Sequence, residues 1–252
     1  MMVCRFIRNA IRSKSNVHCD RILWARYLPR WSTQLKRIIA LVAAVALSMG
    51  MAATAAPAAQ AASKKSILTL LNKLPVEGET RDGYDRDLFD HWVTTDGCTA
   101  REWVLIRQAV SGSVDDCKVV NGEWFSYYDG ATTDSSRSFD IDHMVPLAEA
   151  WDSGADGWSE SRRERFANDL DYLPSLQAVS ASSNRSKSDQ DPSEWMPTSE
   201  SAGCRYLKEW VGTKYRWGLS VDPAEKAAIR SEVKEHCTSK KSRRMPVPTK
   251  AL

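Results

Sequence analysis

Asp140-Ile141-Asp142-His143-Met144-Val145-Pro146-Leu147 is the stretch on which the fold of this chain turns, together with Ser182-Ser183-Asn184-Arg185-Ser186-Lys187-Ser188-Asp189 further along. The residues around the first stretch, Ser138 to Val145, read as a strand. A period of two then puts Asp140 and Asp142 on one face and His143 on the other unless the strand bends at its end. Leu147 to Trp151 begins a helix that Ser153-Gly154 stops. Leu173 to Val179 reads as a second strand. Ser180 can then cap a short helix that carries Asn184 and Lys187 and ends before Pro192. The order strand, insertion, strand, helix gathers two carboxylates, an imidazole, an amide and two cations.

That set matches what hydrolysis of a phosphodiester requires: an activated water, neutralisation of phosphate charge and stabilisation of the departing oxygen. Neutral imidazole, with an ordinary pKa of about 6.5, can take a proton from water. Asp142 and Asn184 offer the oxygen donors that a hard divalent ion prefers. Taken singly each feature is weak, because an Asp-His pair is usually structural and an Asn in a polar stretch is usually a cap or turn. It is their combination that points to chemistry.

The two segments resemble the ββα-metal core of HNH endonucleases, including that domain of RNA-guided CRISPR nucleases. The longer stretch from Tyr84-Asp85-Arg86 through Trp195 resembles small exported HNH-family proteins of actinobacteria, related to the C-terminal domain of modification-dependent restriction systems. The resemblance implies an α+β fold with a ββα-metal (HNH/His-Me finger) core over about 138–190, an N-terminal hairpin and flanking helices. It implies His143 as general base, Asp142 and Asn184 as metal ligands, and Asn168 as the middle asparagine that braces the loop between the strands. Asp140 is either a further ligand or a support for neighbouring backbone or an arginine. Lys187 and Arg185 either reach phosphate or form a solvated helix face. The implied cofactor is a divalent metal ion, Mg²⁺ with Mn²⁺ as a substitute, and the implied partner is nucleic acid, DNA ahead of RNA. Asn184 stands where many relatives have His, which favours Mg²⁺ over a zinc-type site. The insertion between His143 and Leu173 is long for a minimal core.

The first 61 residues differ from the rest. Nine basic residues precede the apolar run that begins at Ile38, and Ala59-Gln60-Ala61 offers a cleavage site, so the leader reads as a signal peptide and the protein as secreted. A membrane anchor is the alternative, although the run fades into Ala, Thr, Pro and Gln. Beyond the leader, 26 lysines and arginines face 31 aspartates and glutamates, a charge of about −5. An acidic body argues against broad coating of nucleic acid and for local, metal-assisted contact. Four cysteines remain: Cys98, Cys117, Cys204 and Cys237. Three connectivities are open; short loops favour Cys98 with Cys117 and Cys204 with Cys237, and a zinc site is the other reading.

The nuclease domain is expected over 62–238, followed by a basic disordered tail, 239–252. Helices are expected at Lys65–Lys73, Thr99–Ala109, Arg162–Leu170, Ala202–Val211 and Pro223–Cys237, and turns at Asn121-Gly122, which would close a hairpin, and Asp129-Gly130. Tyr84, Phe89, Trp92 and Trp103 are expected to be buried. Arg162, Arg163 and Arg165 read as a solvated helix, and Trp151, Trp158 and Trp195 as packing rather than base-stacking residues. Asp85-Arg86-Asp87 with Asp90-His91 is a second possible cluster, but without a motif partner His91 reads as structural, as does His236. Two rival functions stand: a non-catalytic extracellular binding protein that kept the scaffold, and a toxin-like nuclease paired with an immunity protein.

Overall fold

The computed structural model describes residues 63–251, so the expected signal peptide lies outside the described residues. In chain order the elements are β1 (Lys64–Ser66), α1 (Ile67–Leu71), β2 (Thr94–Thr95), β3 (Cys98–Thr99), α2 (Ala100–Gln108), β4 (Ala109–Asp115), β5 (Lys118–Phe125), β6 (Thr132–Thr133), β7 (Phe139–His143), α3 (Leu147–Asp152), α4 (Glu160–Ala167), β8 (Leu176–Ser180), α5 (Ala181–Lys187), α6 (Gly203–Trp217), α7 (Pro223–His236) and β9 (Arg244–Pro246), with short 3₁₀ turns between. The fold is α+β. Among the described residues no helix is long and apolar enough to cross a membrane.

Local chemistry explains the helix ends. Thr99 and Glu102 form a reciprocal capping box at the start of α2, and Asp222 accepts backbone N–H groups at the start of α7, whose first residue is Pro223. Gly218, at φ 73°, ends α6 in the left-handed conformation that glycine adopts without a Cβ clash.

Two apolar clusters hold these elements. Leu70, Tyr128, Met144, Tyr206, Trp210 and Ile229 belong to the larger one, built on α1, α3, α6 and α7. Val104, Trp124, Phe139, Ile141, Leu176 and Ala178 belong to the smaller, between α2, β5 and the β7–β8 pair. Strand β7 therefore joins both: Phe139 and Ile141 fill the small cluster, and Met144 and Val145 just beyond it fill the large one. Its polar residues emerge at the seam. β7 and β8 run antiparallel with Asp142 opposite Gln177 and His143 opposite Leu176, and α5 follows β8 without a loop.

Cys98 is bonded to Cys117 and Cys204 to Cys237, with Cα atoms 5.5 and 5.1 Å apart, the pairing that loop length favoured. The Asn121-Gly122 turn is a correction. β5 runs through both residues, and the hairpin closes five residues earlier over Asp116-Cys117, with Asp115 opposite Lys118. The disulfide holds Cys117 at that tip, and Asn121, at φ 52°, lies in strand β5. Pairing across from it is irregular near Gly112, and a Cβ on Gly112 would lie 2.8 Å from the Cα of Gly122, so the two strands approach where neither residue has a side chain. The Asp129-Gly130 turn is present, with Gly130 at φ 78° donating to Ser126 O.

The tail is a second correction. Arg244–Pro246 pairs antiparallel with Lys64–Ser66, burying Met245 while Arg244 stays exposed, so the tail is ordered and the expected helix at 65–73 shrinks to Ile67–Leu71. Arg163 is a third. It is buried, donating Nε to Leu88 O at 3.0 Å and a second N–H to Trp158 O, rather than solvated. The helix that carries it stops at Ala167, and Leu173–Ser175 is a 3₁₀ turn before β8. Of the four aromatics expected inside, Phe89 is buried and Tyr84, Trp92 and Trp103 are half-buried.

Within the large cluster the Lys214 ammonium lies 2.6 Å from both Glu149 Oε1 and Glu225 Oε2, all three side chains being buried. Burial pushes Glu225 up to about 8 despite that ammonium, and it raises Glu149 also. The folded pKa of Glu225 thus stands above its ordinary 4.5, so its stabilising contribution is complete below about pH 4.5 and is lost as pH rises through about 8. Urea midpoints measured from pH 5 to 9 should fall with rising pH, with a limiting slope of about 1.4 kcal/mol per pH unit per proton. Glu225→Gln should flatten that decline; an unchanged slope in the variant would remove Glu225 as its source.

Candidate active site

Two strands and the helix that leaves the second of them build the site. Ser180 ends β8 and caps α5, its hydroxyl accepting from Ser183 N at 3.2 Å. Helical spacing then puts Asn184 and Lys187 on the same face, three residues apart and toward β7. Asn184 Nδ2 donates to Asp140 Oδ2 at 3.2 Å. Lys187 Nζ donates to Asp142 Oδ1 at 2.8 Å and to the His143 carbonyl at 3.0 Å.

Lys187 is 0% exposed and Asp142 4% exposed. Burial raises the Asp142 pKa and lowers that of Lys187, each change opposed by the partner's charge. Tyr128 donates its hydroxyl to the other carboxylate oxygen, Oδ2, at 2.6 Å. Of the two expectations for Lys187, reaching phosphate or lying on a solvated face, neither matches this geometry. Its ammonium is sealed beneath the site and holds Asp142.

His143 Nε2 lies 2.9 Å from the Ala167 carbonyl. A carbonyl oxygen only accepts, so Nε2 carries the hydrogen and Nδ1 keeps a lone pair. Burial pushes the imidazole down to about 3, which keeps it neutral at physiological pH. Trp92 lies against it with ring centroids 5.3 Å apart, and His91 is 6.4 Å away. Trp92 stands at φ 65°, a backbone conformation that costs a bulky residue energy and needs support from its surroundings.

That support comes from Asn168. It was expected to brace the loop between the strands, and it sits in that loop, capping α4. Its partners are elsewhere: Oδ1 accepts from Val93 N at 3.0 Å, and Nδ2 donates to Asp90 O and Glu164 O, each at 2.8 Å. Ala167 thus orients His143 while the next residue fastens the segment that carries His91 and Trp92.

A cleft of about 450 Å³ is lined by Tyr84, Arg86, Asp142, His143, Asn184 and Arg185, among others. Strand alternation therefore does not separate Asp142 from His143 at the end of β7. A second cleft, of about 680 Å³, includes Asn168, Arg216 and Trp217 but not Asp142, His143 or Asn184. Tyr84 and Arg86 were not expected in the site. Their stretch was singled out in the sequence, but nothing there linked it to β7. Trp195 packs on Tyr128 and Tyr206, Trp158 on Phe166 and Trp217, and Trp151 donates its indole N–H to Asp82 O, in keeping with a packing role. His236 pairs with Glu232 and lies over Gly203. A cluster of carboxylates, Glu79 with Glu149 and Asp152, was also not anticipated; burial and the Glu149 charge push Glu79 up to about 7.

The sequence profile of the family described as GmrSD restriction endonucleases, C-terminal domain, matches residues 107–232. The chain belongs to that family. The GmrSD C-terminal match makes the domain nuclease-type, and it spans Asp140, Asp142, His143, Asn168, Asn184 and Lys187, whereas Tyr84 and Arg86 precede it. A protein of Arthroderma benhamiae described as an uncharacterized secreted protein is 45% identical over 172 residues, 67% of this chain and 84% of that protein. No solved structure matches the chain. The protein is secreted, in line with that relative and with two disulfides of the kind that persist outside the cytosol.

Asn168→Ala removes three hydrogen bonds that cross to residues 90, 93 and 164. Stability should drop by about 1–3 kcal/mol, and amide exchange at Val93 should quicken before that of the β7–β8 pair. Equal exchange at Val93 in both proteins would show that the clamp is not what holds the segment.

Proposed function

We propose that this chain is a secreted, metal-dependent HNH endonuclease that hydrolyses phosphodiester bonds of nucleic acid, DNA ahead of RNA, with β7, β8 and α5 as its ββα-metal core. The observation that carries this reading is the imidazole of His143, held by the Ala167 carbonyl so that Nδ1 keeps its lone pair, on a cleft that Asp142 and Asn184 also line.

The donor chemistry fits a hard divalent ion. Asn184 spends its N–H₂ on Asp140, leaving its amide oxygen as a ligand, and Asp140 keeps a second carboxylate oxygen. Each Asp142 oxygen accepts one hydrogen bond and retains a lone pair. Asp142, Asn184 and Asp140 would hold Mg²⁺, or Mn²⁺ in its place, and the ion would supply Lewis-acid stabilisation of phosphate charge and of the leaving oxygen.

The chain's own residues do the rest. His143 Nδ1 takes a proton from water as the water oxygen forms its bond to phosphorus, the P–O3′ bond breaks, the 3′ oxygen takes a proton from a solvent water, and the imidazolium later returns its proton to solvent. An imidazole at about 3 is a weak base, but a phosphodiester anion beside it favours the imidazolium and lifts that value. Lys187 and Tyr128 fix the carboxylate of Asp142, and Asn168 keeps Trp92 against the imidazole.

One observation favours the rival reading of a non-catalytic extracellular binding protein: Asp142 is already neutralised by Lys187. Plasmid cleavage by the secreted, disulfide-bonded protein in Mg²⁺, Mn²⁺ or EDTA decides between them. Cutting should require the metal and fall by about 10²–10⁴-fold in His143→Ala, with the fold intact by circular dichroism. A folded protein that binds metal yet cuts neither DNA nor RNA would leave the binding protein as the reading.

A further inference from the structure

The segment before β2 gives the cleft a wall that the strand–helix unit does not supply. Asp85 opens the 3₁₀ turn Arg86–Leu88 by accepting from Asp87 N at 2.9 Å, and Phe89 closes it by donating to Arg86 O at 3.1 Å. Phe89 is buried against Trp151 and Phe166. Past it, Asn168 fastens Asp90 and Val93. The backbone at Arg86 is thus anchored on its C-terminal side while its side chain lines the cleft with His143.

Arg81 pairs with Asp152 and Asp189, Arg205 with Glu209 and Arg216 with Asp169, while Arg101, Arg107, Arg162 and Arg163 donate to backbone carbonyls. Arg86 forms no ion pair among the described residues, although Asp85, Asp87 and Asp90 are its near neighbours in sequence. Its contacts are the Tyr84 hydroxyl and, at 3.5 Å, the His91 Nε2. Since His91 Nδ1 lies 2.8 Å from the Phe89 carbonyl, it carries the ring hydrogen, and Nε2 offers a lone pair toward Arg86. That steers the guanidinium without neutralising it. Arg185, on the same cleft, likewise forms no ion pair or hydrogen bond among the described residues. Both guanidiniums are exposed and so free to meet an anion from solution, and a guanidinium's planar fork of donors matches phosphate oxygens two at a time.

We propose that Arg86 is a substrate-binding residue, gripping the non-bridging oxygens of the phosphate that His143 serves, with Arg185 as a second anchor on the same strand of nucleic acid. This inference rests on the nuclease reading. It adds to the core a group from outside the strand–helix motif, and it explains why the insertion and the 84–93 segment are fastened together: the clamp that steadies the base also sets the reach of Arg86.

The test is cleavage of a short DNA duplex by the full secreted protein, its Arg86→Ala and its Arg86→Lys variants, in Mg²⁺. Arg86→Ala should lower kcat/KM about 10- to 100-fold without moving the thermal midpoint, and Arg86→Lys should recover only part, because it keeps the charge and loses the fork. Millimolar guanidinium should restore activity to Arg86→Ala and none to His143→Ala, which a merely structural role would not show. The salt dependence of duplex affinity in EDTA should lose a slope of about one. Arg86→Ala within twofold of the parent, or a loss that follows a lowered midpoint and resists guanidinium, overturns the proposal while leaving the nuclease reading intact. A parent protein that cuts nothing overturns the nuclease reading instead. The EDTA binding arm then judges Arg86 by itself: weaker binding by Arg86→Ala upholds phosphate binding, and equal affinity overturns it.

Discussion

The buried pair of Lys187 and Asp142 joins the last turn of α5 to the end of β7, and the candidate site is arranged around that joint. Withdrawing an ammonium and a carboxylate from water costs several kcal/mol per ion unless each finds partners. Here the ammonium meets Asp142 Oδ1 and the His143 carbonyl, and the carboxylate's second oxygen meets Tyr128. Loss of either partner would strand a charge inside the protein. Because α5 is fixed by its last turn, Asn184 one turn earlier is held beside Asp140, and the oxygens suited to a cation gather at one strand end.

A similar solution recurs where α3 meets the C-terminal helices. Glu149, six residues beyond His143, shares Lys214 with Glu225, and Ser153 and Trp210 complete the hydrogen bonds. The motif is thereby tied at one end to α5 and at the other to α6 and α7. Two disulfides and the β1–β9 pair then close the periphery. The charged groups that would be costly alone become the fasteners between the two apolar clusters.

The long insertion between β7 and β8 has a physical function of its own. It presents the Ala167 carbonyl that selects the His143 tautomer, and, one residue on, the Asn168 amide that recruits the 84–93 segment. A minimal strand–helix unit would leave the imidazole with one face open to water. Trp92 covers that face, and burial follows, with its effect on the proton affinity of the ring.

Much of this was legible in the sequence because it is local. Alternation of apolar and polar residues marks β7, side-chain oxygens at Thr99, Ser180 and Asp222 mark helix starts, and short loops favour the two disulfides that form. The residue types of the site announce their chemistry without any fold. Local signals also mislead where distant contacts compete: Asn121-Gly122 has the chemistry of a turn, but the Cys98–Cys117 bond places the turn at Asp116-Cys117, and the basic tail gains a strand partner 180 residues away. What only the tertiary structure decided are the contacts without a period or a motif: Lys187 turned inward to a carboxylate 45 residues before it, Asn168 reaching Val93 across 75, and Arg86 brought to the cleft of His143. Sequence by itself determined which groups the chain carries and how its neighbouring residues curl. The partners each group meets depend on the burial and pairing of segments far apart in the chain, and those are settled only when the whole core closes.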